Sequence, residues 1–264
     1  MIWLLTYAVS GALVGFLAGL LGIGGGMTLV PVLAALFLAQ GLSQDHNVHL
    51  ALGTAMASII FTSSASVREH HKHLAVDWQV VRRMVPGMLF GALISTAASG
   101  WIPQRTLALA FAVIVYAGAT QIFLGTKPGA HATMPGPLPV FGVGAVIGII
   151  SGLVSAGGTF LTVPFMLFCG VRMHTAIGTG AAIGIPVAVV GTIGYIASGW
   201  RVADLPPWSL GFVLLPALAM LVLGSVITAP MGARYAHKLP VPTLRRVFAC
   251  LLYVLATKMV VTYW

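Results

Sequence analysis

Acidic residues are almost missing. The chain of 264 residues has four, Asp45, Glu69, Asp77 and Asp204, against 13 Lys and Arg, for a formal net charge of +9. Charged residues make up 6% of the chain, whereas a soluble domain carries about 25%. Such a chain cannot cover a water-facing surface. That excludes a soluble enzyme, a nucleic-acid binder and a disordered chain. All four acids fall in expected loops or at helix ends. Cation carriers and proton relays usually place a carboxylate in mid-membrane, so its absence points to an anionic or neutral cargo. It also removes paired-carboxylate hydrolysis, and no HExxH, GxSxG or P-loop pattern occurs. Cys169 and Cys250 lie apart in apolar surroundings and suggest no disulfide framework. The opening MIWLLTYAVS lacks a basic stretch and a small-residue cleavage site, and reads as a retained membrane segment.

What is present is apolar sequence, 59% of the chain, with 32 Gly and 15 Pro. Gly and Pro are tolerated in membrane helices. The first 44 residues carry no formal charge, and neither do residues 128–171. One crossing takes about 20 residues, so each stretch is about two crossings long, and glycines break each near its middle. The runs 50–67, 84–102, 106–126, 175–200, 205–233 and 247–264 each suit one helix. The expectation is an all-α, polytopic helical membrane protein of about ten helices, with eight full-length segments and short second arms in two Gly-broken hairpins.

The halves resemble each other. Gly15-x-x-x-Gly19-x-x-Gly22-x-Gly24-Gly25 aligns with Gly148-x-x-x-Gly152-x-x-Ser155-x-Gly157-Gly158 at an offset of 133, which Pro31 and Pro164 keep. His49-x-Ala-x-Gly53-Thr54 matches His174-x-Ala-x-Gly178-Thr179 at 125, and Pro103-x-x-x-Leu107-x-x-x-Phe111-Ala112 matches Pro240-x-x-x-Leu244-x-x-x-Phe248-Ala249 at 137. Two repeats follow, 1–127 and 128–264, an architecture common among secondary transporters. Loop charge chooses their relation. With four crossings per half, the basic residues split seven against six; with five, ten share one side and only Arg105, Arg201 and Lys258 lie towards the other. Ten against three obeys the positive-inside rule. The repeats are therefore expected to be inverted, with both termini on the non-cytoplasmic side.

The breaks, Gly22 to Thr28 and Ser155 to Thr159, hold the candidate site. Glycine permits a close turn. The helix after each break starts with unpaired N–H groups and the positive end of its dipole, which suit an anion. Irregular backbone at that depth needs protein or a wet cavity around it. The candidate substrate-binding residues are Gly24, Gly25, Gly26, Met27 and Thr28, with Gly157, Gly158, Thr159 and Phe160. Gly53, Thr54, Gly178 and Thr179 are expected to line the same cavity, although a Thr that bonds its own backbone needs no ligand. Pro31 and Pro164 fit the first turns of the new helices. The competing structural reading is that the glycines only let helices pack closely.

His49 and His174 are candidates for coupling or gating, or simply helix-end imidazoles facing headgroups. Lys258, at the place of Gln121 in the first copy, is a buried-ammonium candidate for attracting an anion or a side chain that snorkels to the interface. The run from Arg68 to His73 reads as a basic cytoplasmic loop rather than a metal site.

On these residues the chain resembles the TauE/SafE family, also called the 4-toluene sulfonate uptake permease family. The likeness rests on Gly15-x-x-x-Gly19-x-x-Gly22-x-Gly24-Gly25-Gly26-x-x-x-x-Pro31, its second copy ending at Pro164, the two His-x-Ala-x-Gly-Thr segments, Pro86, Pro216 and the closing Pro-x-x-x-Leu-x-x-x-Phe-Ala pairs. It covers nearly the whole chain. The second copy departs from the glycine run, with Ser155, Ala156 and Thr159 at the places of Gly22, Ile23 and Gly26. The resemblance implies an inner-membrane carrier of a small sulfur-containing anion such as sulfite or an organosulfonate. The expectations are a transporter and not an enzyme, with no cofactor, no metal and no nucleic acid. Its partners are the anion and the bilayer, with a homodimer left open. Two other readings remain at this point: a non-transporting membrane assembly factor, and a His-dependent divalent-cation permease.

Overall fold

A computed structural model describes residues 2–21, 25–124, 134–235 and 241–264. Among them are ten α-helices: α1 Ile2–Leu21, α2 Gly26–Ala39, α3 Asn47–Lys72, α4 Trp78–Ala98, α5 Gln104–Leu124, α6 Pro137–Val154, α7 Thr159–Phe168, α8 Met173–Gly199, α9 Leu215–Tyr235 and α10 Val241–Tyr263. Eight are long and apolar enough to cross a membrane, whereas α2 and α7 are shorter apolar helices. The chain is an all-α polytopic membrane protein. Its outward surface is apolar, with Leu13, Val113, Ile227 and Val254 all exposed, as contact with lipid tails requires.

One region departs from the sequence reading. The run 205–233 was expected to be one helix. Instead α9 begins at Leu215, and a two-residue hairpin, β1 Ser209–Leu210 with β2 Val213–Leu214, precedes it. Two features explain this. Pro206-Pro207 offers no N–H groups for a helix, and Gly211 takes a φ of +53° with its Cα against Ile196 backbone.

The helices pack through small residues, as expected where lipid removes the hydrophobic drive. On α1, Gly11 lies on Leu221 and Gly15 on Ser225 of α9. The numbers rise together, so α1 and α9 run parallel. The same holds for α4 and α6, where Gly87 meets Phe141, Gly91 meets Ala145 and Gly152 meets Ser95. By contrast α3 and α8 run antiparallel: Gly191 faces Met56 and Gly184 faces Ser63. So do α5 and α10, where Tyr116 bonds Thr257 and Thr120 bonds Tyr253, each at 2.6 Å. The most buried spans are α3 and α8, which cross at the centre.

Both chain ends lie at one face of the bundle. Tyr7 and Gln40 bond there at 2.5 Å, Tyr263 reaches Asn47, and Arg105 stacks over Trp264. At the opposite face Glu69, in the last turn of α3, pairs with Lys72 and with Arg234 of α9, each at 3.3 Å.

Candidate functional site

The two helix breaks meet in the middle of the bundle. A Cβ on Gly26, the first residue of α2, would overlap the Ser155 carbonyl oxygen at the end of α6. Only glycine allows that approach. Ile59 of α3 lies between the breaks. Its side chain would be 3.1 Å from a Cβ on Gly26 and 3.0 Å from one on Gly157. Met27 and Phe160, the second residues of α2 and α7, converge on Gly118 of α5. Sequence-expected residues from both halves are therefore in one place.

The second break is built by backbone turning left-handed. Ser155, Gly157 and Gly158 have φ of 49°, 61° and 83°. Gly158 is the N-cap of α7 and carries no side-chain cap; Gly25 holds the same place for α2 at φ −67°. The first N–H groups after each cap have no partner within their own helix. Together with the positive end of the dipole, such unpaired donors can favour negative charge without a fixed cation. Gly24 lies outside the described residues.

The threonines near the caps bond locally. Thr28 donates to Gly25 O at 2.9 Å and Thr162 to Gly158 O at 2.7 Å. Thr159 is buried against Gly180. Pro31 and Pro164 sit later than expected, each the sixth residue of its helix. A proline there removes the i to i−4 bond, leaving the carbonyls of Met27 and Phe160 without a helical donor.

Gly53-Thr54 and Gly178-Thr179 were expected on the common cavity. In the structure they hold loops. Thr54 accepts from Leu214 N–H at 3.0 Å, just before α9, and Thr179 accepts from Asp77 N–H at 2.8 Å, the N-cap of α4. Gly53 lets Phe212 backbone approach, and Gly178 does the same for Ala75. Each hydroxyl satisfies a main-chain donor that apolar surroundings would otherwise leave unpaired.

The histidines differ. His49 is buried, and its Nε2–H faces the carbonyls of Ser99 and Ile102, both at 3.0 Å. It thereby closes the junction of α4 and α5. Its Nδ1 is buried without a partner, and its ring lies 4.9 Å from Phe212 and 5.6 Å from His46. His174 is exposed at the start of α8. Lys258 is exposed on α10 and lines a groove with Pro31, away from the breaks.

Sequence reasoning missed the polar lining beside the first break. A cavity of about 10 Å³ lies there, bordered by Gly25, Ser58, Ile59, Thr62 and Ser225 among others, which leaves room for about one water. Ser58 and Thr62 bond carbonyls of their own helix, so their lone pairs remain available. The signal was a Ser/Thr row on the otherwise apolar α3, Ser58, Thr62, Ser63 and Ser66.

Broken helices meeting at the centre of an all-α membrane bundle are an arrangement shared with membrane transporters. A family model described as "Sulfite exporter TauE/SafE" matches residues 7–259, and the chain belongs to that family. A "Probable membrane transporter protein" of Haemophilus influenzae is 35% identical over 259 residues, covering 97% of this chain and 98% of that protein. The "Probable membrane transporter protein YdhB" of Bacillus subtilis is 23% identical, over 88% of this chain and 90% of its own. A third, from Xylella fastidiosa, is 26% identical, over 97% and 94%. No solved structure matches the chain at a significant level.

Proposed function

We propose that the chain is a secondary carrier of a small sulfur-containing anion, sulfite or an organosulfonate, working by alternating access in the inner membrane. The carrying observation is the meeting of the two breaks at Gly26, Ser155 and Gly157, from which the two short helices α2 and α7 begin. A sulfonate or sulfite offers several acceptor oxygens. Main-chain N–H groups match them and, lacking a formal charge, release them more readily than a lysine would.

We read the chain as two inverted repeats, 1–127 and 128–264. Helix directions support this. Equivalent helices α3 and α8, and α5 and α10, touch antiparallel, while α1 on α9 and α6 on α4 are exchanged partners. Four crossings per half would make the equivalent helices parallel. The narrow 10 Å³ space beside the break fits a closed conformer, and rocking of one half on the other would open it. Export needs no co-ion, because an inside-negative potential drives an anion outward at about 2.3 kcal/mol per charge per 100 mV.

The test is counterflow in proteoliposomes. Labelled sulfite or sulfoacetate should enter vesicles preloaded with the same unlabelled anion, and divalent cations should not. Folded protein that exchanges no sulfur anion refutes the reading; metal-dependent uptake would favour the cation permease. Orientation has its own check. Cysteines at Asp45 and His71, both exposed, should label from the non-cytoplasmic and cytoplasmic sides respectively.

A further inference from the structure

A groove of about 230 Å³ opens between α2 and α10, lined by Pro31, Ala34, Ala35, Leu38 and, on α10, Lys258, Met259, Thr262 and Tyr263. Its α2 wall is apolar. Its α10 wall carries hydrogen-bond donors. Lys258 and Thr262 are both exposed and stand four residues apart, so they share one face of the helix.

Tyr263 adds a third donor. The Asn47 amide lies between the Tyr263 hydroxyl, Ala34 O and Leu38 N–H. Only one amide orientation satisfies all three. Its nitrogen donates to the hydroxyl at 2.7 Å and to Ala34 O at 3.1 Å, and its oxygen accepts from Leu38 N–H at 3.0 Å. In that orientation the phenol is an acceptor from Asn47, and its own proton is free to donate into the groove. Among the described residues no acidic side chain lines the groove. A second cation stands at the same end of α10, where the Arg105 guanidinium lies 5.3 Å above the Trp264 ring.

The groove faces lipid rather than the breaks. Val254, Val261 and Trp264 of the same helix are 65%, 76% and 75% exposed. An ammonium left among acyl chains is costly unless it is paired or snorkels outward, and Lys258 is one turn from the hydroxyl that would share its ligand.

We propose that this groove is a binding site for an anionic phospholipid. The phosphate sits between the Lys258 ammonium, the Thr262 hydroxyl and the Tyr263 phenol, and the acyl chains run along the exposed face of α10 past Val254. Phosphatidylglycerol fits this chemistry. Phosphatidylethanolamine brings its own ammonium, which competes with Lys258 for the phosphate. The proposal is independent of the transport reading.

Native mass spectrometry of the full chain, released from nanodiscs of equal phosphatidylglycerol and phosphatidylethanolamine, tests it. The wild type should retain phosphatidylglycerol selectively. Lys258→Gln should lower that retention about ten-fold, the loss of a charge-assisted bond to phosphate, and Lys258→Arg should keep most of it. Ala35→Phe fills the groove while leaving Lys258 in place, and should lose the lipid as well. Elution volume and helical circular dichroism should match the wild type in each variant. Equal retention of both lipids by the wild type, or undiminished phosphatidylglycerol on either Lys258→Gln or Ala35→Phe, overturns the proposal. So does displacement of the lipid by millimolar inorganic phosphate or sulfoacetate, which would mark a site for soluble anions.

Discussion

Thr54 and Thr179 hold the same place in the two halves and make the same bond: each hydroxyl accepts the N–H of a residue at the start of a helix in the facing half, Leu214 before α9 and Asp77 before α4. His49 and His174 also hold the same place, each five residues upstream; His49 is buried between two carbonyls, and His174 is exposed at the start of α8. The breaks divide similarly. Gly25 caps α2 in ordinary right-handed backbone, whereas Ser155, Gly157 and Gly158 turn left-handed before α7. Features that hold the frame are matched between halves. Features around the breaks are not. A carrier whose two sides meet different solutions needs a common hinge but not identical gates.

The comparison breaks most visibly at Gly26. A valine there would drive its Cβ into the Ser155 carbonyl, a main-chain atom that no rotamer change can move. Gly26→Val should abolish exchange and cost about 1–3 kcal/mol or more of stability, as overpacking does. Gly142→Ala, with nothing within 4 Å of its Cβ and ordinary helical backbone, should leave exchange intact. Transport assays with thermal-shift melting would read both. Exchange surviving in Gly26→Val would mean that the contact between the breaks has no functional weight.

A smaller effect sharpens the matched pair. Thr54→Val and Thr179→Val each leave one main-chain N–H without its acceptor, at about 1–3 kcal/mol. Both should lower the apparent melting temperature by similar amounts, with sulfite affinity unchanged in the folded protein. A loss of affinity in either one would return that threonine to the binding site.

The buried histidine sets a smaller effect. His49→Ala removes the donor shared by the Ser99 and Ile102 carbonyls and should lower the melting temperature by the equivalent of about 1–2 kcal/mol. An unchanged melting temperature would mean that its bonds at the α4–α5 junction carry no weight.

The fold was legible because charge-free stretches of double length marked the hairpins; the second arms, expected at 28–40 and 161–169, are helices at Gly26–Ala39 and Thr159–Phe168. Other features were not legible. Apolar composition hid the hairpin before α9, because Val213 and Leu214 are buried like helix residues and only Pro206-Pro207 and Gly211 mark the change. Gly15 and Gly148 were read with the break motif, but each packs its helix against a neighbour, on Ser225 and Met88. A glycine that turns and a glycine that packs are the same letter. Ile59 carried no signal, since one isoleucine on a buried helix is unremarkable until two breaks are found on either side of it. The partners of Thr54 and Thr179 were not legible either, since sequence cannot say that each hydroxyl accepts a main-chain N–H from a distant loop.

The central claim is that main-chain N–H groups after both breaks hold one anion. Hydrogen–deuterium exchange of the purified protein, with and without saturating sulfite, reads those groups directly. Slower exchange confined to residues 26–27 and 159–161, whose N–H groups have no partner within their helix, is the predicted result. Unchanged exchange in both segments, in protein that demonstrably binds the anion, would contradict it.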